Sequence, residues 1–316
     1  MTEYGDAPAS TYKKDSVTAF RTAAADYAKF ADRAYIDAQK AGKKSSDFVP
    51  ENLLTYAQRA LVLSLDTTGS MGETPGTIFG KYPFLAAGAL EYLGRDAVVS
   101  FTSIGDARNK PNEKYPVQIT PFESFVNGEE LLRKRIKQLV PEKMGGGGAS
   151  ESYELTALYV ARKIATPNDK RPIYIITGDE QPYPYVEVDQ AEEFTFINLS
   201  QRISTEEVFN ELQKKFSTYL IRKRYQDMMM DSVIDTNWKR LLGTKRIAYL
   251  LDDTRVVDII FGILAKETGR VDEFWKELIE RQTPDQVNLV EQCLEPVIGL
   301  RPNKKTERST QSSPLA

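Results

Sequence analysis

The chain has 316 residues, 41% of them apolar, which is enough for a substantial core, with a formal net charge of −3 and a pI near 5.5. Acidic and basic residues are interspersed, so nothing points to a nucleic-acid backbone or an anionic membrane as partner. Histidine is absent and Cys293 is the single cysteine, which removes Ser-His-Asp and Cys-His catalysis, most zinc sites and any internal disulfide.

Residues 1–11 carry Gly, Pro, Ala and Ser without periodicity and are expected as a mobile tail. From Tyr12 to Gly42 the positions Phe20, Ala24, Tyr27, Ala31 and Tyr35 recur at three and four, which predicts an amphipathic helix packed on the main domain or docking a partner. Lys43 to Asp47 reads as a turn and Glu51 to Arg59 as a short helical lead, so residues 12–59 form an N-terminal helical extension. Strands are predicted at Leu61–Asp66, Asp96–Ile104, Tyr115–Thr120, Pro172–Thr177, Tyr219–Ile221 and Arg246–Leu251. Helices are predicted at Lys81–Leu93, Glu129–Leu139, Tyr153–Ile164, Thr205–Phe216, Asp231–Leu242, Thr254–Lys266 and Val271–Arg281. Ser204 or Thr205 caps the fourth of these, with Glu207 placed to close a capping box, and Gly269 stops the sixth. Phe194–Ile197 is a short strand or a loop anchor. Lys214-Lys215 and Arg222-Lys223-Arg224, the densest basic stretches, read as solvated helix faces.

This alternation predicts an α/β fold, a doubly wound, Rossmann-like and mostly parallel central sheet flanked by helices. The main domain is expected over 60–282, a short C-terminal helix over 283–300 and a disordered tail over 301–316. No N-terminal apolar run resembles a secretory signal and no stretch reaches the length of a membrane span, so a cytoplasmic protein without a membrane or nucleic-acid partner is expected.

Chemistry concentrates where the first strand ends in Asp66-Thr67-Thr68-Gly69-Ser70. Ligands of open α/β sheets bind at the carboxyl ends of strands, and alternating Asp66, Thr68 and Ser70 can turn three oxygens toward one point. Carboxylate and hydroxyl oxygens suit a hard divalent cation. A second apolar strand ends likewise in Thr177-Gly178-Asp179-Glu180. Between them lies Gly145 to Gly148, followed by Ser150 and Ser152; four consecutive glycines serve close approach or motion, and lack the lysine of a phosphate-binding loop.

At these residues the chain resembles the von Willebrand factor A family, whose metal-ion-dependent adhesion site reads Asp-x-Ser-x-Ser. Thr68 stands for the middle serine, and Ile104 to Ala107 and Glu151 to Leu155 are similar to a prokaryotic branch of the family. The resemblance implies a von Willebrand factor A fold with Mg²⁺, or Mn²⁺ or Ca²⁺, held by Asp66, Thr68, Ser70, Asp179 and one of Ser150 or Ser152. It implies a protein partner that offers a carboxylate to the cation, with an AAA+ ATPase or another multi-protein complex as partner class and an adaptor as role. Glu180, Tyr183, Tyr185 and Glu187 are the expected partner-binding rim.

The same segments also resemble haloacid-dehalogenase-like phosphohydrolases, with Asp66 as nucleophile and Mg²⁺ held with Asp179. Against that stand Thr68 where those phosphatases carry a second Asp, the lack of a convincing lysine loop, and the glycine run, which has no role there. A purely structural alternative makes Asp66 a helix cap and Thr68 and Ser70 loop braces. Binding is favoured over catalysis.

Overall fold

Leu61, Leu63 and Leu65 enter one hydrophobic core while Val62 enters another, so the strand Arg59–Asp66 (β1) is covered on both faces, as its unbroken apolar run requires. A computed structural model describes residues 25, 29–30, 33–108, 114–141 and 148–302. The tail expected over 1–11, most of the helix expected from Tyr12, Gly145 to Gly147 and the tail beyond residue 302 lie outside these residues.

After β1 come the helices Thr74–Lys81 (α1) and Leu85–Leu93 (α2), the strands Ala97–Ile104 (β2) and Val117–Ile119 (β3), and the helices Gly128–Ile136 (α3) and Tyr153–Lys163 (α4). Ile173–Gly178 (β4), Val188–Thr195 (α5), Thr205–Lys215 (α6), Ser217–Lys223 (β5), Met228–Leu242 (α7) and Ile247–Leu250 (β6) follow. Three helices close the described chain: Val256–Thr268 (α8), Val271–Arg281 (α9) and Pro284–Ile298 (α10).

The central sheet has seven strands, in the order β6-β5-β4-β1-β2-β3, with the two-residue strand Glu123–Ser124 also paired to β2. β6, β5, β4, β1 and β2 run parallel, whereas β3 and Glu123–Ser124 run antiparallel to β2. Among the described residues no helix separates β2 from β3, and the chain returns as an antiparallel neighbour. Helices α1 to α3 and α8 to α10 cover one face and α4 to α7 the other, giving two cores and a mixed α/β architecture. From β1 the chain first winds outward through β2, then crosses back to lay β4 on the opposite side of β1. The carboxyl ends of β1 and β4 therefore flank the point where the winding reverses.

Several elements differ from their sequence reading. Glu51 to Arg59 is extended rather than helical: Leu53–Leu54 pairs in parallel with Ile164–Ala165, the Thr55 amide donates to Ala165 O, and Asn168 donates to Tyr56 O. The helix expected at Lys81–Leu93 is two helices joined by a 3₁₀ turn at Tyr82–Phe84, because Pro83 cannot donate in a helix interior. Between β4 and α6 lie the short pairing strands Gln181–Pro182 and Tyr185–Val186 and the helix α5, none of them in the sequence reading. Phe194 belongs to α5, and Phe196 ends it in the left-handed region at φ 55°.

The basic stretch Arg222-Lys223-Arg224 is no solvated helix face. Arg222 and Lys223 end strand β5, where Arg222 is 1% exposed and paired with Asp231 at 2.5 Å. The last helix, Pro284–Ile298, falls within the span expected for it, 283–300, and buries Val287, Val290, Cys293, Leu294 and Val297 in the same core as β1. The expected capping box does close α6: Ser204 accepts from the Glu207 amide and Glu207 from the Ser204 amide. Among the described residues no helix is long and apolar enough to cross a membrane.

Candidate functional site

Parallel pairing with both β4 and β2 fixes where β1 ends, and its last residue, Asp66, is fully buried. The backbone turns immediately afterwards. Thr68 N and Thr68 Oγ1 both donate to Asp66 Oδ1, at 2.9 and 2.6 Å, and a 3₁₀ turn at Gly69–Met71 carries Ser70 back over the strand end. There the Thr68 and Ser70 hydroxyl oxygens lie 3.3 Å apart, and Ser70 Oγ donates to Asp179 Oδ1 at 3.0 Å. Asp66, Thr68, Ser70 and Asp179 thus form one hydrogen-bonded group across the ends of two adjacent strands.

The second loop contributes differently from its serines. Ser152 is buried, and its hydroxyl accepts the Ala107 amide at 2.9 Å; Ser150 begins a short strand paired with Gln181. The oxygen that reaches Asp66 from this loop is the Tyr153 phenol, which donates to Asp66 Oδ2. Gly178 makes that approach possible, because a Cβ at this position would overlap the phenol ring, with ring carbons only 2.8 Å away. Trp238 braces the arrangement, with its ring edge-on to Tyr153 at 5.3 Å and its Nε1 donating to Glu180 O at 2.7 Å.

Electrostatics follow from burial of like charges. Loss of hydration raises Asp66 above the usual carboxyl range, against the hydrogen bonds from Thr68 and Tyr153 and the charge of Lys223. Burial, and next the Asp66 charge, pushes Asp179 up to about 7. Glu180, raised by burial and then by Asp66 and Asp179, reaches about 8. Burial and the same acidic neighbours hold the Tyr153 phenol well above its ordinary value, so it stays a donor at neutral pH. Lys223 Nζ donates to Met71 O at 3.1 Å and to Thr74 Oγ1, which places a cation beside the acidic group.

Tyr153 and Lys223 are the site residues that sequence reasoning missed. Tyr153 follows the glycine run as the first residue of α4, and Lys223 ends a strand next to the one that ends in Asp179. Position at a strand end was the available signal for Lys223. For Tyr153 the signal was the pairing of a large phenol with a glycine at position 178.

The expected rim divides. Glu180 is 3% exposed and belongs to the acidic group. Tyr183, Tyr185 and Glu187 gather around Arg108, which stacks on the Tyr183 ring at 4.1 Å, donates to Tyr185 O at 2.9 Å and pairs with Glu187 at 3.8 Å. Tyr183 Oη donates to Asp106 at 3.1 Å, and Arg202 stacks on Tyr185 at 4.4 Å. Next to them an open groove of about 440 Å³ is lined by Ser150, Gln181, Tyr183, Tyr185 and Asn237, among others. Among the described residues, no three His, Cys, Asp or Glu side chains converge as a ready metal-holding cluster.

No family model and no curated protein matches the chain. Among solved structures it is similar to the pilus adhesin SpaC from Lactobacillus rhamnosus GG in its open conformation, with a TM-score of 0.47 and 11% identity over 72% of this chain and 31% of the adhesin. A second structure of SpaC gives a TM-score of 0.45 and 11% identity over 72% of this chain and 32% of that one. The chain spans about a third of the length of these adhesin structures.

Proposed function

We propose that the chain is a metal-dependent binding module of the von Willebrand factor A type, an adaptor that engages a protein partner through a divalent cation at the ends of β1 and β4. The observation that carries this reading is the Ser70 Oγ to Asp179 Oδ1 hydrogen bond, 3.0 Å long, which joins the Asp66-x-Thr68-x-Ser70 motif to the acid of a neighbouring strand.

The donor set fits Mg²⁺, with Mn²⁺ or Ca²⁺ as substitutes: carboxylates and hydroxyls without nitrogen or sulfur, gathered where burial penalises uncompensated negative charge. Asp66 and Asp179 would supply charge and Thr68 and Ser70 neutral oxygens. A bound cation offers a positive charge and an open coordination position to a partner's carboxylate. The Tyr153 phenol orients Asp66, Trp238 anchors the Asp179-Glu180 backbone, and the residues around Arg108 stand where they would meet the partner. An AAA+ ATPase or another multi-protein complex is the partner class proposed, and the single buried cysteine accords with a cytoplasmic setting.

Lys223 gives the phosphohydrolase alternative its one specific support, since a lysine beside two acids suits an aspartyl-phosphate site. Three hydrogen bonds already fall on the Asp66 carboxylate, however, two at Oδ1 and one at Oδ2, which blunts it as a nucleophile in this arrangement. Calorimetric titration of Mg²⁺ into wild type and Ser70→Ala separates the two. The binding reading expects clear weakening in a folded Ser70→Ala protein. Equal binding, together with phosphatase activity that disappears in Lys223→Met, would favour the enzyme.

A further inference from the structure

Glu180 follows Asp179 directly, yet it does not behave as a surface residue of a binding rim. It is 3% exposed, and its Oε2 is buried with no hydrogen-bond partner among the described residues. A buried carboxylate oxygen without a donor costs several kcal/mol unless something compensates it, roughly 1–3 kcal/mol even for a neutral polar group. Its backbone cannot withdraw to solvent, because the carbonyl accepts from Trp238 Nε1 at 2.7 Å and the amide lies 3.4 Å from the Tyr153 hydroxyl. The side chain stands next to the Ser70 hydroxyl, the group that also bonds Asp179.

The other carboxylates of the group differ in this respect. Asp66 is held on both oxygens, by Thr68 and by Tyr153, and Asp179 accepts from Ser70. Glu180 alone among these three presents a buried oxygen that no described protein donor satisfies. Asp66, Asp179 and Glu180 stand close enough that the Asp66 charge raises Asp179 and both raise Glu180, and a divalent cation would supply the attraction that gathers their carboxylates. The extra torsion of a glutamate gives its carboxylate reach that an aspartate at this position lacks.

Resting on the metal-dependent reading, the geometry points to Glu180 as a cation ligand of this chain's own, which closes the site from inside. It takes a coordination position through its free oxygen, so the chain holds Mg²⁺ without a partner present. A partner's carboxylate then gains the cation by displacing Glu180, which makes this residue the threshold that an incoming ligand must overcome.

Mg²⁺ alone is the probe, titrated by calorimetry into the full chain as wild type, Ser70→Ala, Glu180→Gln and Glu180→Asp, with circular dichroism confirming that each is folded. Glu180→Gln removes the charge at constant size, and Glu180→Asp keeps the charge but withdraws it by one methylene. The inference expects wild type to bind and both Glu180 variants to bind about tenfold more weakly or worse, the scale on which even outer-shell partners of a metal act. Wild-type affinity in Glu180→Asp with weakening only in Glu180→Gln would reduce Glu180 to a distant charge and overturn it. Unchanged affinity in both variants, with loss in Ser70→Ala, would overturn it while leaving the proposed function standing. No binding by wild type would remove both.

Discussion

The Tyr153 hydroxyl donates to Asp66 Oδ2, a hydrogen bond between the first residue of α4 and the last residue of β1, two side chains with no accessible surface. It ties the loop after the glycine run to the strand end that carries the acidic motif. Tyr153→Phe retains the edge-on packing against Trp238 but leaves Asp66 Oδ2 without this donor. The expected loss is about 1–3 kcal/mol of stability at neutral pH, read as a lower urea midpoint. The loss shrinks in acid, where Asp66 takes up a proton instead.

Gly178→Ala tests the close approach behind that bond. An added methyl overlaps the phenol, and overpacking of this kind costs about 1–3 kcal/mol. In a Tyr153→Leu background the same substitution should cost clearly less. A double-mutant cycle from urea unfolding reads the difference, and strict additivity of the two changes would contradict the arrangement.

The acidic group sets a pH dependence of definite sign. Asp179 rises from the usual 3.8 to about 7 and Glu180 from 4.5 to about 8, both first through burial. Between the lower and upper values the folded chain binds more protons than the unfolded one, so these groups support the fold at acidic pH and that support is lost as pH rises through 7 to 8. With a chelator present, the urea midpoint contributed by these groups should therefore fall from pH 5.5 to pH 8.5. On the proposed metal-dependent reading, Mg²⁺ should compete with those protons and restore stability more at pH 8.5 than at pH 5.5. A Mg²⁺ effect that is larger in acid would contradict the linkage.

Helix α10 is part of the core and not an appendage. Val287, Val290, Cys293, Leu294 and Val297 are each at most 5% exposed, and burying a large apolar side chain contributes about 1.5–3 kcal/mol. Their sum is comparable to the roughly 5–15 kcal/mol that separates folded from unfolded domains. A chain ended after Gln282 should lose cooperative thermal unfolding by circular dichroism, whereas one ended after Pro302 should keep it.

What could be read from sequence follows from the range of the interactions involved. Leu61 to Asp66 and Ile173 to Asp179 were legible because a run of apolar residues closed by an acid is a local pattern, and so was the Ser204-Glu207 capping box, which spans a single turn. Leu53 and Leu54 were misread because their partner strand, Ile164–Ala165, lies far away in the chain, and only that pairing makes them extended. Tyr153 escaped for the same reason: its role depends on Gly178 lacking a side chain in a strand from another part of the sequence. Lys223 looked like part of a solvated basic patch because nothing local reveals that the strand before it is the neighbour of β4.

The environment of Trp238 has an optical consequence. Its indole touches the Tyr153 ring, donates to the Glu180 carbonyl and packs edge-on to Phe209 at 5.6 Å, while the chain's other tryptophan, Trp275, sits in the core on the opposite face of the sheet. In a Trp275→Phe chain the emission comes from one fluorophore in contact with two residues of the candidate site. The protein thus carries its own intrinsic dye at the ends of β1 and β4, and titrations there can be followed by tryptophan fluorescence without any label.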